Sequence, residues 1–178
     1  MRLYLVKPDL THFEQYNQMM SEWRASGTQI APWFLGDSFD TVEKFADFIR
    51  MLDDCEHGLT DKRFSATTSY FVIDENDRLV GAASLRHYLT YEGFLSWGHI
   101  GYGIRPSERL KGYAVATLRM MLEQAKLRHI YKVLLGVHES NIGSRKVVEK
   151  CGGILENTVR VPGDAEAVRR YWIAVDKD

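Results

Sequence analysis

Cysteine and proline are scarce in this chain, with two cysteines and four prolines among 178 residues. Cys55 and Cys151 leave room for one disulfide and not for a disulfide framework, so reduced thiols and a cytoplasmic setting are expected. Neither cysteine belongs to a CxxC and the six histidines include no HExxH pair, so no metal site is expected. No Gly-x-Ser-x-Gly segment marks a serine hydrolase. No apolar run approaches the roughly 18 residues that suggest a membrane span. Lys7, Pro8 and Asp9 break the first apolar stretch, so no leader is expected there. An excess of charge is missing as well: 23 Lys and Arg against 24 Asp and Glu leave a formal net charge of −1. Nothing global therefore recruits nucleic acid or an anionic membrane. What is present is an ordinary globular balance, 45% hydrophobic and 26% charged, with no repeat, which fits a single domain over residues 1–178 with a sizeable core.

Periodicity divides the chain into elements. Arg2 to Val6 reads as a short strand. Phe13, Tyr16, Met19, Met20 and Trp23 recur at helical spacing over Leu10 to Ala25. An aromatic loop from Ile30 to Phe39 follows. Asp40 or Thr41 then caps a helix whose stripe is Val42, Phe45, Phe48, Ile49 and Leu52. Asp53 to Ala66 is polar and reads as a loop. Ser69 to Ile73 and Leu79 to Leu89 read as a hairpin around Asp74–Arg78, and Phe94 to Ile104 as a third strand. A helix runs to Arg128 with Val115, Leu118, Leu122 and Ala125 inward. Tyr131 to Val137 is an apolar strand, expected parallel to Phe94–Ile104 after its helical crossover. Asn141 to Lys150 is a short helix capped by Ser140 or Asn141. Ile154–Val159 and Val168–Val175 are closing strands.

The junction Ile104-Arg105-Pro106-Ser107-Glu108-Arg109-Leu110-Lys111-Gly112-Tyr113-Ala114 carries the most information. It joins a strand to a long helix, where unpaired N–H groups and the helix dipole suit a phosphate. Gly112 lets a ligand approach the backbone, and Arg105, Arg109 and Lys111 add positive charge. The run Gly98-His99-Ile100-Gly101-Tyr102-Gly103 has the wrong glycine order for a dinucleotide fold and is followed by Pro106 rather than a helix. Glycines inside a strand instead mark close backbone approach, here expected from a ligand.

Arg109-x-x-Gly112-x-Ala114 resembles the pyrophosphate signature of the GNAT superfamily of N-acetyltransferases. Asn141-Ile142-Gly143-Ser144 and Glu149-Lys150-Cys151-Gly152-Gly153 resemble that superfamily's later segments, with Gly153 where an aromatic is usual. The element order is similar from end to end. The resemblance implies an α/β fold of α+β type, a mixed central sheet of about six to seven strands flanked by about four helices. It implies acetyl transfer from acetyl-coenzyme A to a primary amine by direct attack in a ternary complex. The alternative it leaves open is an acetyl-coenzyme A-binding module with little turnover, because the position that commonly holds a Tyr general acid is Val148. It further implies a cofactor seat made by Tyr102, Gly103, Ile104, Arg109, Leu110, Lys111, Gly112, Tyr113, Ala114, Asn141 and Ser144, and it allows a homodimer.

Freeing a lysine-like amine of its proton at pH 7 costs about 4.6 kcal/mol, so a base helps. Tyr102, His138, Glu139 and His99 are the candidate catalytic residues. Strand alternation places Tyr102 on the face shared with Ile100 and Ile104 and His99 on the other. Glu22, Trp33 and Phe34, with Trp23 and Asp37 nearby, are candidates for the acceptor side, where an acid beside aromatics suits a cationic amine.

Overall fold

The strands form two antiparallel sheets. In the computed structural model, which describes residues 2–61, 63–163 and 165–176, the first sheet has the order β1-β2-β3-β4. These strands are β1 (Leu3–Val6), β2 (Thr67–Asp74), β3 (Leu79–Arg86) and β4 (Ile100–Ile104). The second sheet is β5-β7-β6, built from β5 (Lys132–His138), β6 (Ile154–Val159) and β7 (Val168–Ala174). Helices α1 (Phe13–Ser26) and α2 (Val42–Glu56) precede β2, α3 (Tyr113–Leu127) links β4 to β5, and α4 (Ile142–Lys150) follows β5. No helix among the described residues is long and apolar enough to cross a membrane.

Local chemistry sets the helix ends. Thr41 Oγ1 accepts the Lys44 N–H at 3.3 Å to open α2, and Asn141 Oδ1 accepts the Ser144 N–H at 3.0 Å to open α4. Gly27, at φ +62°, closes α1 in the left-handed region.

β2 and β3 are buried on both faces, so they serve two cores. One face packs Tyr70, Ala83 and Leu85 with Ile100, the α3 stripe Leu118, Met121, Leu122 and Ala125, and Val133, Leu135 and Val148. The other packs Phe71, Ile73, Leu79 and Ala82 against Tyr16, Met19, Met20 and Trp23 of α1 and Phe45, Phe48 and Leu52 of α2.

The stretch before β4 differs from the periodicity. The apolar run from Phe94 is not a strand: Gly93–Trp97 forms a π-helical turn. Thr90 starts this turn by accepting the Phe94 N–H at 2.8 Å, and the Gly98 N–H closes it on Gly93 O at 2.7 Å. An apolar run of this length fits either element, and local capping decides it. β4 and β5 form no ladder with each other. The sheets meet at one isolated antiparallel bridge, Gly98 to Leu135, and β4 runs on with its outer edge unladdered.

Candidate active site

The gap between the sheets opens beyond His99. Arg86 N–H donates to His99 O at 2.8 Å and Arg105 N–H to Val80 O at 2.9 Å. In an antiparallel ladder that parity turns the His99 C=O and the backbone groups of Gly101, Gly103 and Arg105 toward β3. The N–H and C=O groups of Tyr102 and Ile104 then face the gap. At its closed end the His99 N–H donates to Leu134 O at 2.7 Å and the Leu134 N–H donates to His99 Nδ1 at 2.9 Å. His99 is thus a buried stitch between the two sheets. Burial, with the Arg86 guanidinium nearby, pushes its pKa down to about 4. With Nδ1 occupied by Leu134, the neutral ring carries its hydrogen on Nε2 and has no lone pair left for an amine proton.

The junction supplies a backbone cradle at the far end of β4. α3 starts at Gly112, φ +86°, with no side-chain cap and no acidic residue in its first turn, so its leading N–H groups are uncompensated. Leu110 also has positive φ, +62°, and its side chain is wholly exposed. Left-handed residues alternating along such a loop turn successive N–H groups to one side, the arrangement that binds anions. The charged side chains are engaged elsewhere. Arg105 pairs with Glu22, whose carboxylate also takes the Ser107 N–H at 2.7 Å. Against the opposing effect of burial, Ser107 and Arg105 hold the Glu22 carboxyl below the usual carboxylate range. Buried Glu108 binds Lys111 and Arg78, each at 2.9 Å. Arg109 folds over the Trp23 ring at 5.6 Å and donates to Ile104 O at 3.1 Å and Thr28 Oγ1 at 3.0 Å. The cradle at Gly112 therefore rests on backbone dipoles, with the basic side chains pinning the loop that carries it.

On the α3–α4 side, the Tyr102 hydroxyl lies 2.9 Å from Ser144 Oγ, spanning from β4 to the first turn of α4. Burial pushes the Tyr102 pKa above its ordinary value, so the hydroxyl stays protonated at neutral pH. Asn141 is the α4 cap, and its side chain serves Ser144. Val148 is fully buried in the core, and a Cβ at Gly153 would stand 2.4 Å from Val148 Cγ1. An aromatic cannot occupy Gly153 while that contact lasts.

At the end of β5, His138 Nδ1 lies 3.7 Å from Glu166 Oε1. The Ser140 N–H and hydroxyl each donate to Glu166 at 2.9 Å, which, with His138 beside it, keeps that carboxyl below the usual range. Glu166 sits in the β6–β7 connection, and no local pattern in the sequence singles it out. Glu139 is exposed, and its carbonyl accepts from Arg145 at 3.2 Å.

The glycines of β4 meet protein. A Cβ at Gly103 would lie 2.1 Å from Ala31 O and 2.8 Å from Trp23 Cη2, and one at Gly101 would lie 3.2 Å from Pro32 Cβ. The close approach expected from a ligand is made by the aromatic loop, which lies on the face of β4 opposite Tyr102. Phe34 and Trp23 are core residues, and exposed Asp37 faces Arg24 at 3.5 Å. Trp33 is half exposed and lines a cavity of about 570 Å³ between that loop, α2 and the π-helical turn.

The family model of the acetyltransferase (GNAT) domain matches residues 2–154. A probable N-acetyltransferase of Bacillus subtilis (strain 168), YjcK, is 31% identical over 94 residues, 49% of this chain and 50% of that protein. The match thus spans about half the length of that curated relative. Among solved structures, RimL, a ribosomal L7/L12 alpha-N-protein acetyltransferase in complex with coenzyme A, superposes with a TM-score of 0.71 at 18% identity, covering 99% of this chain and 96% of its own. The spermidine/spermine N-acetyltransferase SpeG of Vibrio cholerae gives 0.62 at 17% identity, covering 97% and 95%. These likenesses extend the fold over nearly the whole chain. With the family match running from β1 into β6, the chain belongs to the acetyltransferase (GNAT) domain family.

Proposed function

We propose that the chain transfers an acetyl group from acetyl-coenzyme A to a primary amine bound on the opposite face of the gap. The observation that carries this is the unladdered edge of β4 leading to the uncapped N-terminus of α3 at Gly112. Backbone N–H groups of Leu110 to Ala114 fit a pyrophosphate, since the loop turns them outward and Gly112 adds no Cβ. The outward N–H and C=O groups of Tyr102 and the Ile104 N–H fit an extended amide-bearing arm, which pairs as an added strand, with the Ile104 C=O held by Arg109. Acetyl-coenzyme A supplies an acyl carbon activated by its thioester. In the transfer the amine nitrogen bonds to the acyl carbon, the carbon–sulfur bond breaks, and the proton leaving nitrogen ends on sulfur.

The chain's own groups divide that work. Tyr102 is a proton donor and not a base, because burial keeps its hydroxyl protonated. Ser144, 2.9 Å away, orients that hydroxyl. This pair offsets the loss of a donor at Val148. His138, with Glu166 beside it, is the group placed to take a proton on the other side, directly or through water. His99 positions the strands and takes no proton. Effective molarities of about 10⁵ M or more show how far holding two reactants together carries such a reaction. The test is thiol release from acetyl-coenzyme A with a panel of primary amines. Amine-dependent release supports the proposal; binding without release for every amine would reduce the chain to a cofactor-binding module.

A further inference from the structure

The cavity that Trp33 lines is not explained by cofactor binding. Its walls are apolar, with Met51, Phe64 and Trp97 joining Trp33, and three of these are large aromatics left about half exposed. Exposed aromatics gathered around one concavity mark a binding surface rather than a solvated face. Its volume suits a small molecule of one or two residues' size.

The charge in the cavity is specific. Arg86 is the one cation lining it among the described residues. Its guanidinium lies over the Trp97 ring at 5.6 Å and donates through Nη1 to Gly98 O at 3.1 Å. No carboxylate among the described residues forms an ion pair with it. Asp61, the acid at the rim, is taken by Arg63, which donates through Nε at 2.8 Å. Burial lowers the Arg86 pKa to about 10, so the group stays charged at neutral pH. With Nη1 on Gly98 O, the Nε–Nη2 edge of this desolvated guanidinium has no hydrogen-bond partner among the described residues, and two parallel N–H donors there match two carboxylate oxygens.

Arg86 ties the cavity to the closed end of the gap. Gly98, which holds Arg86, makes the bridge between the sheets, and the loop carrying Trp33 lies on β4 opposite Tyr102. We infer that the acceptor seated here is an amine that also bears a carboxylate, with an aromatic or branched apolar body, the carboxylate on Arg86 and the body between Trp33, Phe64 and Trp97. This rests on the acetyl-transfer reading for the fate of the amine. It reverses the expectation of an acidic site for a cationic acceptor, because Glu22 is spent on Arg105 and Phe34 is buried. A polyamine meets Arg86 as a like charge.

The experiment titrates the intact chain by tryptophan fluorescence with L-phenylalanine, its amide, 2-phenylethylamine and spermidine, and measures thiol release with the same four. L-phenylalanine is expected to quench fluorescence, and removing its carboxylate to weaken binding about 10- to 100-fold, the usual range for a hydrogen bond to a charged group. Arg86→Gln should weaken L-phenylalanine by the same factor with acetyl-coenzyme A affinity unchanged, and Arg86→Lys should recover part of it. Equal binding of L-phenylalanine and its amide, tightest binding of spermidine, or no quenching by any of the four would overturn the inference, even in a folded protein that acetylates other amines. Selective binding of L-phenylalanine without thiol release would overturn its place as the acceptor, whereas release with no primary amine of a broad panel would remove the acetyl-transfer reading and leave the carboxylate site standing.

Discussion

Replacing His99 with Asn should flatten the acid limb of the stability curve. His99 is neutral in the fold, with a pKa near 4 against about 6.5 when unfolded. Below pH 6.5 the unfolded chain takes up a proton that the folded chain refuses. Stability is therefore full above that pH and falls until about pH 4. The 2.5-unit difference is worth about 3 kcal/mol, of which about 2 kcal/mol is lost between pH 7 and pH 5. Asn offers an acceptor oxygen near the position of Nδ1, so the Leu134 N–H keeps its partner while the titration disappears. His99→Leu removes both and should cost an additional 1–3 kcal/mol or so at pH 7, because a buried N–H is left unpaired. Urea unfolding followed by circular dichroism at pH 7 and pH 5 reads each quantity. Other carboxylates titrate over the lower part of this range, so the informative number is the difference between variant and parent. If His99→Asn loses as much stability on acidification as the parent, the buried-neutral account of this residue is wrong.

Three further outcomes follow from the same geometry. Gly112→Asp places a negative charge and a Cβ at a position with φ +86°, and should weaken acetyl-coenzyme A at least about tenfold by isothermal titration; unchanged affinity in a folded variant would place the phosphates elsewhere. Tyr102→Phe should lower kcat by about 10²-fold while the cofactor Kd stays near the parent's, and adding Ser144→Ala should cost little more, since the two hydroxyls act as one unit; equal turnover in Tyr102→Phe would remove the proposed proton donor. Gly103→Ala drives a Cβ into Ala31 O and should cost about 1–3 kcal/mol, a fall in melting temperature of about 2–12 °C, with an unaltered melt showing that the aromatic loop does not press on β4.

Much of the fold was legible because its signals are local. The stripe of α3, the Thr41 and Asn141 caps and the hairpin at Asp74–Arg78 each follow from a few neighbouring residues. The junction at Gly112 was legible for the same reason, since an uncapped helix after a strand is written in consecutive residues. The π-helical turn at Gly93–Trp97 was not, because a short apolar run with a Gly at its end suits strand and helix alike. Long-range partners escaped as well. Glu22 meets Arg105 83 positions away, and neither neighbourhood announces the other. That pairing reassigns two charges expected to meet ligands. Arg86 carried no signal as one arginine ending a strand; only the aromatic cavity around it gives it a reading. Glu166 is read from His138 and Ser140, which fold back to meet it.

The central claim is that the gap and the Gly112 cradle seat acetyl-coenzyme A. Its most direct test is the melting temperature of the chain with and without that ligand. At about 100 times its dissociation constant a ligand adds about 2.7 kcal/mol of stability. For a chain of this size that is a rise of about 5–11 °C. A rise of this order, lost in Gly112→Asp, is the predicted result; an unchanged melt at millimolar ligand would contradict the account.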